Sequence, residues 1–334
     1  MGWLGAAGAG MAAILGMAAW GADRPGSGTL MGRPEAWFAS VEAVEMGGRV
    51  LSHQTARGDW PKNMNTAAAF AGPGRPERGT FDNGATVGEI RFLARLARVT
   101  GERRFREGVE RGLSHILDAQ YPNGGWPQSH PAGPGYGRHI TFNDGTMVGL
   151  MELMREVSRS EDFGWLGQAW RGRAAEAFER GVECILKCQV RVGGRLTVWC
   201  AQHDEITLEP RPARTYELAS LSGGESAGIL LLLMSLEERG ARVEEAIRAG
   251  VEWYERVKIR GIRVETRDGD RRVVEDAGAP PLWARFYELD TLRPLFAGRD
   301  GVARYRLADI EQERRAGYAW YGNWGERVLR AAGR

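Results

Sequence analysis

The strongest constraint on how this chain folds is a phrase that occurs three times: a helical run closing on Gln, a turn built on Gly, then a loop opening the next helix. Gln54 precedes Gly58-Asp59-Trp60-Pro61, Gln120 precedes Gly124-Gly125-Trp126-Pro127, and Gln189 precedes Gly193-Gly194, at nearly even spacing. Between these phrases the apolar residues recur with helical period: Val87, Ile90, Leu93, Leu96 and Val99; Met147, Leu150, Leu153 and Met154; Ile229, Leu232, Leu233 and Leu236. Strand signals are few, the best lying at 196–201 and 264–274. A helix-loop-helix unit of this length cannot bury its apolar face alone, so successive units must close around a shared core. The expected fold is all-α, an α/α toroid: an incomplete helical barrel of repeated hairpins with a few short strands, whose equivalent loops open on one face.

Each turn leads to an acid at a helix start: Asp82 in Thr80-Phe81-Asp82-Asn83, Asp144 in Thr141-Phe142-Asn143-Asp144, and Glu225 after Ser220-Leu221-Ser222-Gly223-Gly224. One such acid is explained by capping, since carboxylates and hydroxyls satisfy the orphan N–H groups of a first turn and complement its dipole. Three of them at equivalent repeat positions, set next to Gly and long loops that tend to be functional, point to a shared oxygen-rich site.

Composition narrows the partners. Lys+Arg 45 against Asp+Glu 43 leaves a net charge of +2, which excludes a polycationic nucleic-acid binder. Nearly all the basic residues are arginine, which draws attention to Lys62, Lys187 and Lys258. Cys184, Cys188 and Cys200 are odd in number and lack paired CxxC spacing, so neither a disulfide framework nor a zinc site is indicated. His139 and His203 are too few and too scattered for zinc, and His139 reads as orienting its loop. Residues 1–22 are apolar and small, without charge before Asp23, and end in Ala19-Trp20-Gly21. They read as a signal peptide, an uncleaved anchor being the alternative. Residues 23–34 read as a Pro/Gly-rich linker and 35–330 as the toroid, a secreted or periplasmic monomer with no membrane partner after cleavage.

Several long motifs in order resemble the pectate lyases of polysaccharide lyase family ten: Thr80-Phe81-Asp82-Asn83-Gly84-Ala85-Thr86, Tyr121-Pro122-Asn123-Gly124-Gly125-Trp126-Pro127-Gln128, His139-Ile140-Thr141-Phe142-Asn143-Asp144, and Pro212-Ala213-Arg214-Thr215-Tyr216-Glu217-Leu218 followed by Ser220-Leu221-Ser222-Gly223-Gly224-Glu225-Ser226. Gly298-Arg299-Asp300-Gly301 and Gly317-Tyr318-Ala319-Trp320-Tyr321 extend the likeness, which runs from about Trp37 to Trp324. One departure is Gly145, where family members often carry a second Asp, which implies lower calcium affinity in that loop. The loop before Thr80 also differs, which bears on subsite specificity.

The resemblance implies cleavage of polygalacturonate by calcium-assisted β-elimination. Elimination removes a weakly acidic proton beside the uronate carboxylate, so the site must neutralise that carboxylate and set a base next to the proton. Asp82, Asp144 and Glu225 offer the hard oxygens that Ca²⁺ takes. Arg214 is the implied base; read from its chemistry alone it is a carboxylate clamp, because a free guanidinium has a pKa far above neutrality. Asp82 is the second catalytic candidate. Arg299, Lys62, Asn83, Trp126 and Tyr321 are the candidate substrate contacts, with an ion pair to Asp300 or another acid the alternative for Arg299 and a solvated face the alternative for Lys62. Two other functions fit parts of the pattern. A helical-barrel glycoside hydrolase would use Asp82 and Asp144 as an acid–base pair, and a non-catalytic polyuronide-binding protein would leave Arg214 or Asp144 facing solvent.

Overall fold

The computed structural model describes residues 30–334, so the expected signal peptide and residues 23–29 of the expected linker lie outside the described residues. Residues 30–34 are docked: Leu30 and Met31 pack on the core, and the Met31 carbonyl accepts from Arg95 Nη1 at 3.2 Å.

The helical periods of the sequence become three hairpins closed by tight turns. These are α2 (Val87–Thr100) with α3 (Arg103–Ala119), α4 (Thr146–Arg159) with α5 (Gln168–Cys188), and α6 (Glu225–Met234) with α7 (Ala241–Arg256). The turn between α2 and α3 forms because Gly101 takes a left-handed conformation (φ 73°) and returns its N–H to the Ala97 carbonyl. Helix α1 (Val41–Ser52) opens the array, Ser40 Oγ capping it through the Ala43 N–H at 3.2 Å. A short α8 (Gln312–Gly317) lies in the last loop, and α9 (Trp324–Ala331) closes the array. Helices α2, α4, α6 and α9 contact one another in an inner row, and α1, α3, α5 and α7 form the outer row. The fold is the helical toroid expected. Outer helices press close: a Cβ on Gly112 would meet Ile90 Cδ1 at 2.7 Å, and one on Gly250 would meet Leu230 Cδ2 at 2.6 Å.

Because the tight turns join inner to outer helices, every long loop runs from an outer C-terminus to the next inner N-terminus. All the long loops therefore lie at one end of the toroid. The repeated glutamines tie that end together: Gln54 Nε2 donates to the Gly58 and Gly108 carbonyls (2.9 and 2.8 Å), Gln120 to Gly124 and Ala177 (2.9 and 2.9 Å), and Gln189 to Thr197 and Ala246 (2.9 and 3.0 Å). A tryptophan follows each. Trp60, Trp126, Trp199 and Trp283 are fully buried, and their indole N–H groups donate to the Val50, Ile116, Ile185 and Tyr254 carbonyls at 2.8–2.9 Å. The tryptophan contact thus occurs four times against three for the glutamine, its last two copies being hidden by divergent neighbours.

Strand is confined to two-stranded pieces. The expected strand at 264–274 is the hairpin Ile262–Arg267 with Asp270–Glu275, whereas of 196–201 only Leu196 pairs, in Arg195–Leu196 with Arg191–Val192. A second apolar cluster, including Tyr216, Phe286, Phe296, Ile310 and Trp320, is built from loops and underlies the arginine-rich part of the same end.

Candidate active site

Two short turns at the loop end share a conformation. In Thr80-Phe81-Asp82-Asn83-Gly84 the fourth residue, Asn83, has φ 54° and ψ 31°; in Thr141-Phe142-Asn143-Asp144-Gly145 it is Asp144, at φ 51° and ψ 27°. Asn and Asp tolerate this left-handed region better than other non-glycine residues. The alignment corrects the idea that the acids occupy equivalent positions: Asp82 matches Asn143, and Asn83 matches Asp144. Each turn is stitched on two sides. The Thr80, Thr141 and Ser222 N–H groups donate to the carbonyls of Trp60, Trp126 and Trp199, and the Phe81, Phe142 and Gly223 N–H groups donate to those of Gln128, Ala201 and Arg285. Thr86, buried at φ 70°, locks the first turn by accepting from the Trp60 N–H and donating to the Thr80 carbonyl, both at 2.9 Å.

Asp82 is buried. Its Oδ2 takes Lys62 Nζ and Gln128 Nε2 (2.9 Å), while Oδ1 is buried without a hydrogen-bond partner. An unmet carboxylate oxygen is what a hard cation would satisfy. Asn83 is exposed beside it. The two turns pack on each other, and Asp82 lies near enough to Asp144 to add to its charge repulsion.

Asp144 and Glu225 meet on one cation that sequence reasoning missed. Arg285, 2% exposed, places Nη2 2.6 Å from Glu225 Oε1, 3.3 Å from Asp144 Oδ1 and 3.4 Å from Asn143 Oδ1. Burial alone would favour its neutral form, but Glu225, Tyr318 and Asp144 outweigh that and raise its pKa, so it is a cation. Burial, and then the Glu225 charge, push the Asp144 carboxyl above the usual Asp range, only partly offset by Arg285. The Asn143 amide donates to Asp144 Oδ2 at 2.8 Å. Glu225 has both oxygens engaged, one by Arg285 and the other by Ser222 Oγ, so it is a poorer calcium ligand than Asp82. The signal that could have found Arg285 is its register: it stands two residues after Trp283, as Lys62 does after Trp60 and Gln128 after Trp126.

Beyond Arg285 the arginines gather around two tyrosines. Tyr318 lies 4.8 Å below the Arg285 guanidinium and 5.7 Å below that of Arg214, and its hydroxyl donates to Glu217 at 2.7 Å. Arg214 makes a two-point pair with Glu217 (2.7 and 2.5 Å) and stacks 5.0 Å over Tyr216. This pair pushes the Arg214 pKa up, so without substrate the side chain is a cation; it remains 40% exposed. Arg299 lies 5.9 Å over Tyr216, exposed, and its ion pair is to Glu313 (2.8 Å) rather than Asp300, which binds Arg304. One expected sugar contact is corrected: Trp126 is fully buried and cannot present a ring face, whereas Tyr321 is half-buried with its ring against Phe296 at 5.4 Å. Tyr318 is the aromatic at the centre of the arginines.

His139 and His203 are structural. His203 is fully buried between the Leu208 carbonyl and the Cys200 N–H, and burial pulls its pKa down to about 4. His139, Asp204 and Glu205 come within 4.8 Å of one another, but their groups are matched internally: Glu205 takes His139 Nδ1 and Arg138 Nε, and Asp204 takes the Ile206 and Thr207 N–H groups and Arg211. The three cysteines are free and buried.

The family model described as pectic acid lyase matches residues 54–329. The chain belongs to this family. A family 10 polysaccharide lyase from Cellvibrio cellulosa superposes with a TM-score of 0.80 at 37% identity, covering 91% of this chain and 97% of its own. A mutant of a family 10 polysaccharide lyase from the same organism, in complex with trigalacturonic acid, gives a TM-score of 0.80 at 36% identity over 91% and 98%. No curated protein matches the chain. The chain is therefore a polysaccharide lyase of the pectate-lyase type, and the glycoside hydrolase and non-catalytic readings are set aside. Among the described residues no helix is long and apolar enough to cross a membrane.

Proposed function

We propose that this lyase cleaves polygalacturonate by β-elimination with Ca²⁺ as cofactor and Arg214 as base, acting outside the cytoplasm as a monomer after loss of residues 1–22. The observation that carries the reading is the meeting of oxygen ligands and arginines at one end of the toroid, with Asp82 Oδ1 buried and unmet. Asp82 and Asp144 would hold the ion, with Asn83 beside them and Glu225 held back by Arg285. When bound, Ca²⁺ supplies positive charge that neutralises a uronate carboxylate and makes the adjacent C–H more acidic.

The residues of the chain then do the rest. Arg299, exposed on its loop, and Lys62, beside Asp82, bind neighbouring carboxylates of the polymer. Arg214 takes the proton on C5; the C5–H electron pair becomes the C4=C5 double bond and the C4–O bond breaks, its oxygen leaving on the departing chain. For Arg214 to accept a proton its pKa must fall from the raised value set by Glu217. Desolvation by the sugar and repulsion from added cations both act in that direction. The rate should accordingly climb at alkaline pH.

Two measurements on Arg214→Lys and Arg214→Ala test the base. Turnover should drop by orders of magnitude while trigalacturonate binding stays within about tenfold, or 1.4 kcal/mol. Near-normal turnover moves the base elsewhere, Asp82 first; equal losses in turnover and binding return Arg214 to the clamp reading. Formation of unsaturated product in the near ultraviolet should stop with a chelator and resume with Ca²⁺, and full activity in excess chelator removes the ion from the mechanism.

A further inference from the structure

Away from this cluster a cavity of about 360 Å³ opens beside the first turn of the repeated phrase. Arg57, Arg111, His115 and His130 wall it, and Asp118 is the one acid among its lining residues. Two nitrogens there are buried without a hydrogen-bond partner, the Arg111 Nε–H donor and the His115 Nε2. The nearest carboxylate to His115 Nε2 is Asp59 Oδ2, 3.5 Å away, and Asp59 is already engaged through its other oxygen by Thr55 Oγ1. Arg111 spends Nη2 on Gln54 Oε1 (2.6 Å), which ties it to the repeat and leaves Nε over. The His130 ring lies 5.4 Å from that of His115, and Arg57 is exposed at the same cavity.

Buried polar nitrogens without partners are rare in folded proteins and commonly mark a missing water or ion. Two arginines and two imidazoles around such nitrogens select for negative charge, because guanidinium groups favour planar oxyanions. We infer that this cavity binds an oxyanion, a uronate carboxylate or a free phosphate, separately from the calcium-binding end of the cleft. Burial favours the uncharged form of both His115 and Arg111, so a bound anion would restore the charge that burial disfavours. Asp59 and Asp118 oppose an anion there, whereas Arg57 and His130 support it. The cavity also touches the catalytic turn: the His115 ring packs 5.5 Å from Phe81, the residue before Asp82, and His130 lies two residues after Gln128, which holds Asp82 Oδ2. A carboxylate seated here would be an accessory contact for the polymer whose occupation steadies the loop over Asp82.

The uronate source rests on the polygalacturonate reading; the phosphate source does not. The test follows the ring C–H resonances of His115 and His130 in the full chain, in excess chelator, during titration with D-galacturonate, inorganic phosphate and neutral D-galactose. Saturable shifts with an anion and none with galactose are expected. Galacturonate shifts assign the cavity to the substrate, and phosphate shifts alone assign it to a free anion. Arg57→Gln combined with His130→Gln should weaken the anion by about tenfold or more, and Arg57→Gln alone, at an exposed side chain, should weaken it in the same sense if the double variant misfolds. Unshifted resonances with both anions, an equal response to galactose, or unchanged affinity in folded variants would overturn the inference. Failure of the polygalacturonate reading registers separately, as a wild-type enzyme that forms no unsaturated product.

Discussion

The turns at 80–84 and 141–145 have nearly the same letters and the same backbone, yet they place their carboxylates in opposite electrostatic settings. In the first, the acid Asp82 precedes the left-handed residue and faces Lys62, whose side chain is 40% exposed, leaving one oxygen unmet. In the second, the acid Asp144 is itself the left-handed residue and faces Arg285, which is almost wholly buried. Both cations stand two residues after a tryptophan of the repeat, so the scaffold offers one position and fills it differently. The lesson is one of permanence. A buried guanidinium between two acids is a fixed internal counter-ion, whereas an exposed lysine can give way to an incoming cation or sugar carboxylate.

The largest expected effect comes from removing the fixed counter-ion. Arg285→Met leaves Glu225 and Asp144 buried without it and should cost about 3–5 kcal/mol of stability, read from urea unfolding. Lys62→Met should cost less, since the lysine is 40% exposed and Gln128 still donates to the buried Asp82 carboxylate. Equal losses for the two variants would break the contrast between them.

Next comes the ion. Asp82→Asn should raise the calcium concentration needed for half-maximal activity by about 10–100-fold, and Asp144→Asn should raise it less, because one Asp144 oxygen already faces Arg285. The reverse order would make the second turn the principal calcium loop.

A smaller effect separates the turns by pH. The Asp144 carboxyl has a raised pKa in the folded protein, so its contribution to stability is complete below the ordinary Asp range, about 3.9, and is lost as pH rises through the higher folded value. Glu217 is the opposite case: burial alone would raise it, but Arg214 and Tyr318 prevail and lower it, so its contribution is present above the ordinary Glu range and lost as pH falls through the lowered value. Urea midpoints across mildly acid pH should show the first slope flattened in Asp144→Asn and the second in Glu217→Gln.

The smallest effect concerns the shared backbone. Asn83→Ala should cost about 1 kcal/mol, the penalty for a Cβ without a local hydrogen-bonding group in the left-handed region, while Asn83→Gly should be close to neutral. Thermal midpoints measured with and without Ca²⁺ separate this cost from any loss of a ligand.

The sequence by itself determined the periodic architecture: helices from the spacing of apolar residues, the three Gln phrases from their punctuation, and a common face for the equivalent loops from their repetition. It also led to Asp82, Asp144, Glu225, Arg214 and Arg299 through motifs whose residues lie close together in the chain. Tertiary structure alone decided that Trp126 is a packed indole, that Arg299 pairs with Glu313, and that Arg285 pairs with Glu225 and Asp144. The physical reason is range. Helical period and turn chemistry act over a few residues and leave a mark in local sequence, whereas the partner of a charge depends on which distant loops meet, and Asp144 meets Arg285 from 141 residues away in sequence.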